Sequence, residues 1–237
     1  MSDPCKTHGP YANQKPAFKP VARPSWGDWH TQCPTCQTEW AVQQGIKRSG
    51  IAARFAGATV DNYRTPAAAQ ANALQACRSY LESVVGGNSG SLVLLGKVGT
   101  GKTHLACAIA IELMRQSGKQ AYYRTVRDLI REVRATWHRD AAETEINVIA
   151  RLTQAPLLVL DEVGVMTGTD NEMVILFDVL DGRYREGLPT VIASNLNRQG
   201  LQDALGERMF DRLREDGSVI VFDWSSHRGN KCQLPAR

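Results

Sequence analysis

Residues 91–106 read SLVLLGKVGTGKTHLA, and their order decides what kind of sheet surrounds them. Leu92, Val93, Leu94 and Leu95 form a short apolar run suited to a buried strand, and a helical pattern begins directly after Thr103. Between the two, Gly96-Lys97-Val98-Gly99-Thr100-Gly101-Lys102-Thr103 is G-x-x-x-x-G-K-[ST] in the required strand-to-helix setting. Glycines let successive backbone N–H groups curl around phosphate oxygens, and the helix N-terminus adds a favourable dipole. Lys102 is expected to reach the β- and γ-phosphates of a nucleotide, and the Thr103 hydroxyl to ligate Mg²⁺.

Downstream, Gln120–Thr125 reads as a short strand. In the helix after it, Val126, Leu129, Ile130, Val133 and Trp137 share one face and Arg127, Arg131 and Arg134 another. The arginines suit a solvated face paired with Asp128 and Glu132, or a contact with a nucleic-acid backbone. A helical pattern at 141–152 precedes Leu157–Leu160, an apolar run ending in Asp161-Glu162. That places two carboxylates at the tip of a central strand, Asp161 to hold Mg²⁺ through water and Glu162 to polarise the attacking water. A helix is expected at 171–185 and a strand at Thr190–Ser194. Asn195, at the tip of that strand, can orient water. A basic helix at 206–214 leads to a last strand, Val219–Phe222, with Arg228 in the tail. An arginine that reaches a neighbouring subunit's γ-phosphate contributes about 10³–10⁵ in rate. The chain alone does not choose among Arg208, Arg212 and Arg214 for that role.

Upstream, Pro66 opens an Ala-rich helix with Ala67, Ala71, Leu74, Cys77, Tyr80 and Leu81 on one face, broken by the glycines at 86–90. Residues 48–65 show no period and read as a connector. Further up, Cys5-x-x-His8 and Cys33-x-x-Cys36 are two pairs with metal-ligand spacing, a Cys₃His set suited to structural Zn²⁺. The intervening 9–27 stretch, rich in Pro and Lys, has too little apolar surface to fold without such a staple. Trp26, Trp29 and Trp40 crowd the second pair, either as the small core of this module or, with the lysines and arginines nearby, as a base-stacking surface. The expected division is a zinc module at 1–47, a linker at 48–66 and a nucleotide-binding domain at 67–237.

The 237 residues, 43% hydrophobic and 22% charged, suffice for one medium domain plus a small module. No apolar run approaches a bilayer span and no signal-peptide core opens the chain, so a soluble cytoplasmic protein without membrane association is expected. Residues 1–57 hold seven Lys/Arg against three Asp/Glu, whereas the remainder holds 21 of each, so the net charge of +4 lies wholly in the N-terminal quarter. Six cysteines in such a chain point to metal or free thiols and away from disulfides.

The succession GKVGTGKTHLA, YYRTVRDLIREVR, LLVLDEVG, VIASNLN, LGERMFDRLR and VFDWSSHR resembles the DnaC-type replicative helicase loaders, AAA+ ATPases related to DnaA and to the transposition helper IstB. The resemblance covers roughly residues 48–230. It implies a parallel P-loop sheet in the order 5-1-4-3-2 with a minimal or absent lid. The implied nucleotide contacts are Gly96, Val98, Gly99, Thr100, Gly101, Lys102, Thr103 and His104, with Arg228 as sensor-2. It makes Asp161 and Glu162 the Walker B pair, Asn195 sensor-1 and Arg212 the arginine finger, with Arg208 beside it. Implied partners are ATP with Mg²⁺, a hexameric replicative helicase, single-stranded DNA and further copies of the chain. The Cys/His module stands where the best-known loaders carry a helical segment. An IstB-like regulator of a transposase on duplex DNA shares the same core and is the alternative reading. A non-hydrolysing adaptor is a third reading, opposed by the complete set of Glu162, Asn195 and Arg212.

Overall fold

The structure is a computed structural model and describes Cys5, residues 33–164 and residues 170–227. Its centre is a parallel five-stranded sheet: β1 (Ser91–Gly96), β2 (Ala121–Thr125), β3 (Leu157–Asp161), β4 (Thr190–Ser194) and β5 (Ser218–Phe222), in the order β2-β3-β4-β1-β5. This is the order the resemblance implied, counted from the other edge. The period of two along each strand sorts its side chains to opposite faces. Leu92, Leu94, Leu157, Val159, Val191 and Ala193 enter one core, while Val93, Leu95, Leu158, Leu160 and Ile192 enter the other. Burying each such side chain contributes about 1.5–3 kcal/mol, so the three central strands are the least replaceable part of the molecule.

The first core is covered by α2 (Ala68–Val85) and α3 (Lys102–Ser117). The second lies under α4 (Val126–Ala135), α5 (Glu145–Thr153), α6 (Asp170–Arg185), α7 (Arg198–Leu205) and α8 (Glu207–Glu215). Local chemistry sets several boundaries. The Thr125, Thr144 and Asn197 side chains each accept the N–H three residues on, starting α4, α5 and α7. Thr144 thereby moves the start of α5 to Glu145, later than the helical pattern from 141 implied, and α7 was not expected at all. The buried stripe of α2 is Gln70, Ala73, Cys77, Leu81 and Val84; of the expected face, Cys77 and Leu81 are in it and Leu74 and Tyr80 pack beside it, whereas Ala67 and Ala71 are exposed. Alanine-rich pattern leaves the face ambiguous, and packing against α3 resolves it.

The N-terminal quarter departs most from expectation. A helix, α1 (Pro34–Ser49), starts directly at Cys33 with proline in its first turn and ends at Gly50 with φ +89°. Val42 and Ile46 join the core of the nucleotide-binding sheet, and Gln120 Nε2 donates to Gly45 O at 3.1 Å. The 47/48 boundary therefore falls inside a helix. The stretch 48–66 is not a loose linker either: Ile51, Ala58, Val60 and Tyr63 are buried, and a short 3₁₀ turn spans Ala53–Phe55.

Candidate functional site

A parallel sheet collects loops at the C-terminal ends of its strands, and the chemistry-bearing side chains gather there. Gly96–Thr103 leaves β1, Asp161 ends β3 with Glu162 next, and Asn195 follows β4. Parallel register aligns these tips, with Leu95 opposite Ser194 and Thr125 opposite Asp161. Ser194 Oγ donates to Val163 O at 2.5 Å, bracing the turn after the carboxylates. Glu162 is exposed and takes φ +58°, a conformation rare for a side-chain-bearing residue.

Together they line a cavity of about 790 Å³, with Val98, Gly99, Gly101, Lys102, Thr103, His104, Asp161, Glu162 and Asn195 on its walls. Gly99 and Gly101 have φ of +81° and +100°, so the loop curls inward as a phosphate cradle requires. A Cβ on Gly101 would lie 2.5 Å from the Tyr63 ring, which leaves no alternative to glycine there. Lys102, 5% exposed, donates from Nζ to Gly96 O at 2.6 Å and Lys97 O at 2.8 Å. Its ammonium is thus tied to the loop that phosphate would occupy. Thr103 Oγ1 donates to Asp161 Oδ2 at 2.7 Å, and Glu162 N to Asp161 Oδ1 at 2.7 Å. The hydroxyl–carboxylate pair is the oxygen donor set that suits Mg²⁺.

Residues outside the phosphate loop and the two carboxylates complete the surroundings of the cavity. Tyr63 OH and Trp224 Nε1 both donate to Thr100 O at 3.0 Å, clamping the phosphate loop from the connector and from the chain after β5. Burial, then the nearby Cys77, pushes the Tyr63 phenol up to about 12, so it remains a neutral donor. His104 shares a hydrogen bond with Thr59 O at 3.1 Å, and His227 N donates to Gly99 O at 2.9 Å. Arg54, Phe55 and Asn62 add the upper wall. The connector is therefore one side of the pocket. Its lack of period hid this, since each residue is buried by a turn and not by a regular element.

The family described as IstB-like ATP binding protein matches residues 51–233. The chain belongs to that family. It is homologous to the replicative helicase loader DnaC of Escherichia coli strain K12, being 37% identical over 188 residues that span 79% of this chain and 76% of that one. The crystal structure of the DnaC helicase loader matches with a TM-score of 0.65 at 24% identity, covering 72% of this chain and 99% of that chain. The replication initiator DnaA bound to AMPPCP and single-stranded DNA matches with a TM-score of 0.61 at 21% identity, over 71% of this chain and 50% of that one. These structural likenesses show a shared fold. As a member of the family, the chain is a P-loop ATPase whose cofactors are a nucleotide and Mg²⁺.

The three arginines considered for a neighbouring copy's nucleotide all lie on α8, away from this chain's own cavity. Arg212, on α8, is ion-paired with Asp181 of α6, and its guanidinium sits 4.9 Å from the Tyr184 ring centroid. Arg208, one turn earlier, is exposed, and Arg214 lies 3.7 Å from Asp211. None of the three lines the cavity. Arg228 and His8 lie outside the described residues, as do Trp26 and Trp29.

At the far end of α1, the sulfurs of Cys5, Cys33 and Cys36 lie within 4.8 Å of one another, with Cys5 Sγ and Cys36 Sγ 3.6 Å apart. Thiolates at about 2.3 Å from one tetrahedral Zn²⁺ sit about 3.8 Å apart. Burial and then the neighbouring sulfurs push the Cys36 thiol up to about 12, the opposite of what a free reactive thiol needs. Three sulfurs packed this way suit a cation among them. No helix among the described residues is long and apolar enough to cross a membrane.

Proposed function

We propose that this chain is an ATP-dependent loader that places a hexameric replicative helicase on single-stranded DNA. The observation that carries the reading is the 37% identity with DnaC of E. coli across 79% of this chain, far more than a phosphate loop and its two neighbouring strands. In this reading Lys102 leaves its loop carbonyls to meet the β- and γ-phosphates, and the backbone of Gly96, Val98, Gly99, Thr100, Gly101 and His104 cradles them. Thr103 and Asp161 hold Mg²⁺, which supplies charge neutralisation at the phosphate oxygens. Glu162 accepts a proton from the attacking water while Asn195 orients it. Arg212 completes the site of a neighbouring copy, and Arg228 contacts the nucleotide of its own chain.

Single-stranded DNA would lie along α4, where Arg127 and Arg131 are exposed, while Arg134 is engaged with Glu172 at 3.0 Å. Cys5, His8, Cys33 and Cys36 would bind a structural Zn²⁺. Because α1 joins that cluster to the sheet, residues 1–47 are read as a partner-facing module that shares a helix with the ATPase body.

The test uses the full-length chain with Glu162→Gln, which should hold the ATP-bound state, mixed with the purified replicative helicase and a single-stranded circle. An ATP-dependent complex that deposits the helicase on the circle is the expected result. Association with a transposase on duplex DNA, and none with the helicase, would transfer the chain to the alternative role. About one zinc per chain, lost in Cys33→Ser, is expected by elemental analysis.

A further inference from the structure

Asp161 is 5% exposed and receives three donors from three different pieces of chain. Glu162 N serves Oδ1, whereas Thr103 Oγ1 and the Tyr123 hydroxyl both serve Oδ2, at 2.7 and 2.8 Å. Tyr123 is on the edge strand β2, where it pairs with Val159, two residues before the carboxylate. Its side chain leans along the strand toward the C-terminal rim and brings the phenol to Asp161. The ring is 9% exposed and packs in the core under α3, so a phenylalanine would fill the same space. Only the hydroxyl is specific to the carboxylate.

We propose that Tyr123 is a positioning residue for the Mg²⁺ site, fixing Asp161 Oδ2 so that the Thr103 hydroxyl can turn an oxygen lone pair to the metal while still donating its proton. The proposal rests on the assignment of Thr103 and Asp161 to Mg²⁺. Two hydroxyls on one carboxylate oxygen hold it from two sides. Removing the phenol leaves Thr103 as the side-chain hydroxyl on that oxygen and frees the carboxylate to rotate away. The main chain adds a second constraint. Tyr123 O accepts from Arg124 Nη1 at 2.8 Å, and the same nitrogen donates to Ser49 O at 2.8 Å. The C-terminal end of α1 therefore abuts the residue that holds Asp161.

Partners that orient a metal ligand from outside the coordination sphere are worth about 10–100-fold in metal affinity. The experiment titrates Mg²⁺ into the full-length chain with a fluorescent ATP analogue and reads binding, not turnover. Tyr123→Phe should raise the Mg²⁺ concentration at half-effect roughly tenfold, while binding of the analogue in EDTA and the melting temperature stay at parental values. Asp161→Asn serves as the reference and should abolish the Mg²⁺ response. An unchanged Mg²⁺ midpoint in Tyr123→Phe beside a responsive Asp161→Asn overturns the role of Tyr123 alone. Weakened binding in EDTA to the same degree would make the hydroxyl a shaper of the pocket and not of the metal site. A parental Mg²⁺ response in Asp161→Asn would remove the metal assignment itself, and the proposal with it.

Discussion

Two cations are buried at opposite rims of the same sheet, and they are held in contrasting ways. Lys102, at the C-terminal rim, is 5% exposed and donates to two carbonyls of its own loop. Arg183, at the other rim, is 1% exposed and donates to Leu152 O, Thr153 O, Ala155 O and Pro189 O and to Thr190 Oγ1. Burial alone pulls its guanidinium down to about 10, with Tyr80 opposing, so it remains charged at neutral pH. Its acceptors are the last two carbonyls of α5, which no intrahelical bond satisfies, Ala155 O ahead of β3, and the entry to β4, where Pro189 O also accepts from Leu158 N at 3.4 Å. Arg183 ties three elements together and has no ligand to wait for. The hydrogen bonds from Lys102 to Gly96 O and Lys97 O join one loop to itself, and a phosphate could take their place. Buried charge is structural where fixed backbone from several elements saturates it, and functional where its partners are local and replaceable.

The largest effect expected from this contrast is on stability. Arg183→Leu should remove the guanidinium from Leu152 O, Thr153 O and Ala155 O and cost about 3–5 kcal/mol, a fall of about 10 °C in melting temperature for a chain of this size. Thermal unfolding followed by circular dichroism reads it. A variant that melts with the parent would mean that water replaces the guanidinium, and the structural half of the contrast would fail.

Lys102→Ala should do the reverse. Its loop keeps the clamps from Tyr63 and Trp224, so melting should move by no more than about 1 kcal/mol equivalent. Nucleotide affinity should fall about a hundredfold, because a charged partner of the phosphates is removed from a buried site. Isothermal titration with ATP and Mg²⁺ measures this. Retained tight binding, or a melting loss like that of Arg183→Leu, would erase the difference between the two cations.

What the sequence disclosed follows the same division. The phosphate loop, the β3 carboxylates and Asn195 were legible because strand, turn and residue type are all local in sequence. Arg183 was not, since its partners are main-chain carbonyls that any residue supplies and that only tertiary packing brings together. Tyr123 escaped for a related reason: reaching Asp161 depends on the register between two strands that lie 31 residues apart at their ends (Thr125 and Leu157 begin the gap of 126–156). Residues 34–47 read as part of a small metal module because the Cys/His pairs have metal-ligand spacing. The helix they form is anchored to the sheet by Val42 and Ile46 and by bonds to its backbone, Gln120 to Gly45 O and Arg124 to Ser49 O, which sequence pattern does not reveal.

Arg212 lies between the two extremes. Its charge is answered by the Asp181 carboxylate and its plane by the Tyr184 ring, yet its side chain is still 18% exposed. Tyr184 is itself fixed by a hydrogen bond from its hydroxyl to Glu215 Oε2 at 2.7 Å. On the proposed finger role, reaching a neighbour's nucleotide would require Arg212 to exchange Asp181 for phosphate, and the ion pair would set a threshold for assembly. Asp181→Asn removes the charge but keeps the shape. The expected change is a several-fold rise in ATPase stimulation at low protein concentration, with single-chain ATP affinity unaltered. Arg212→Ala should abolish the stimulation, again with ATP affinity unaltered. If Asp181→Asn instead lowers stimulation as Arg212→Ala does, the carboxylate holds Arg212 in its working pose, and the residue belongs with Arg183 and not with Lys102.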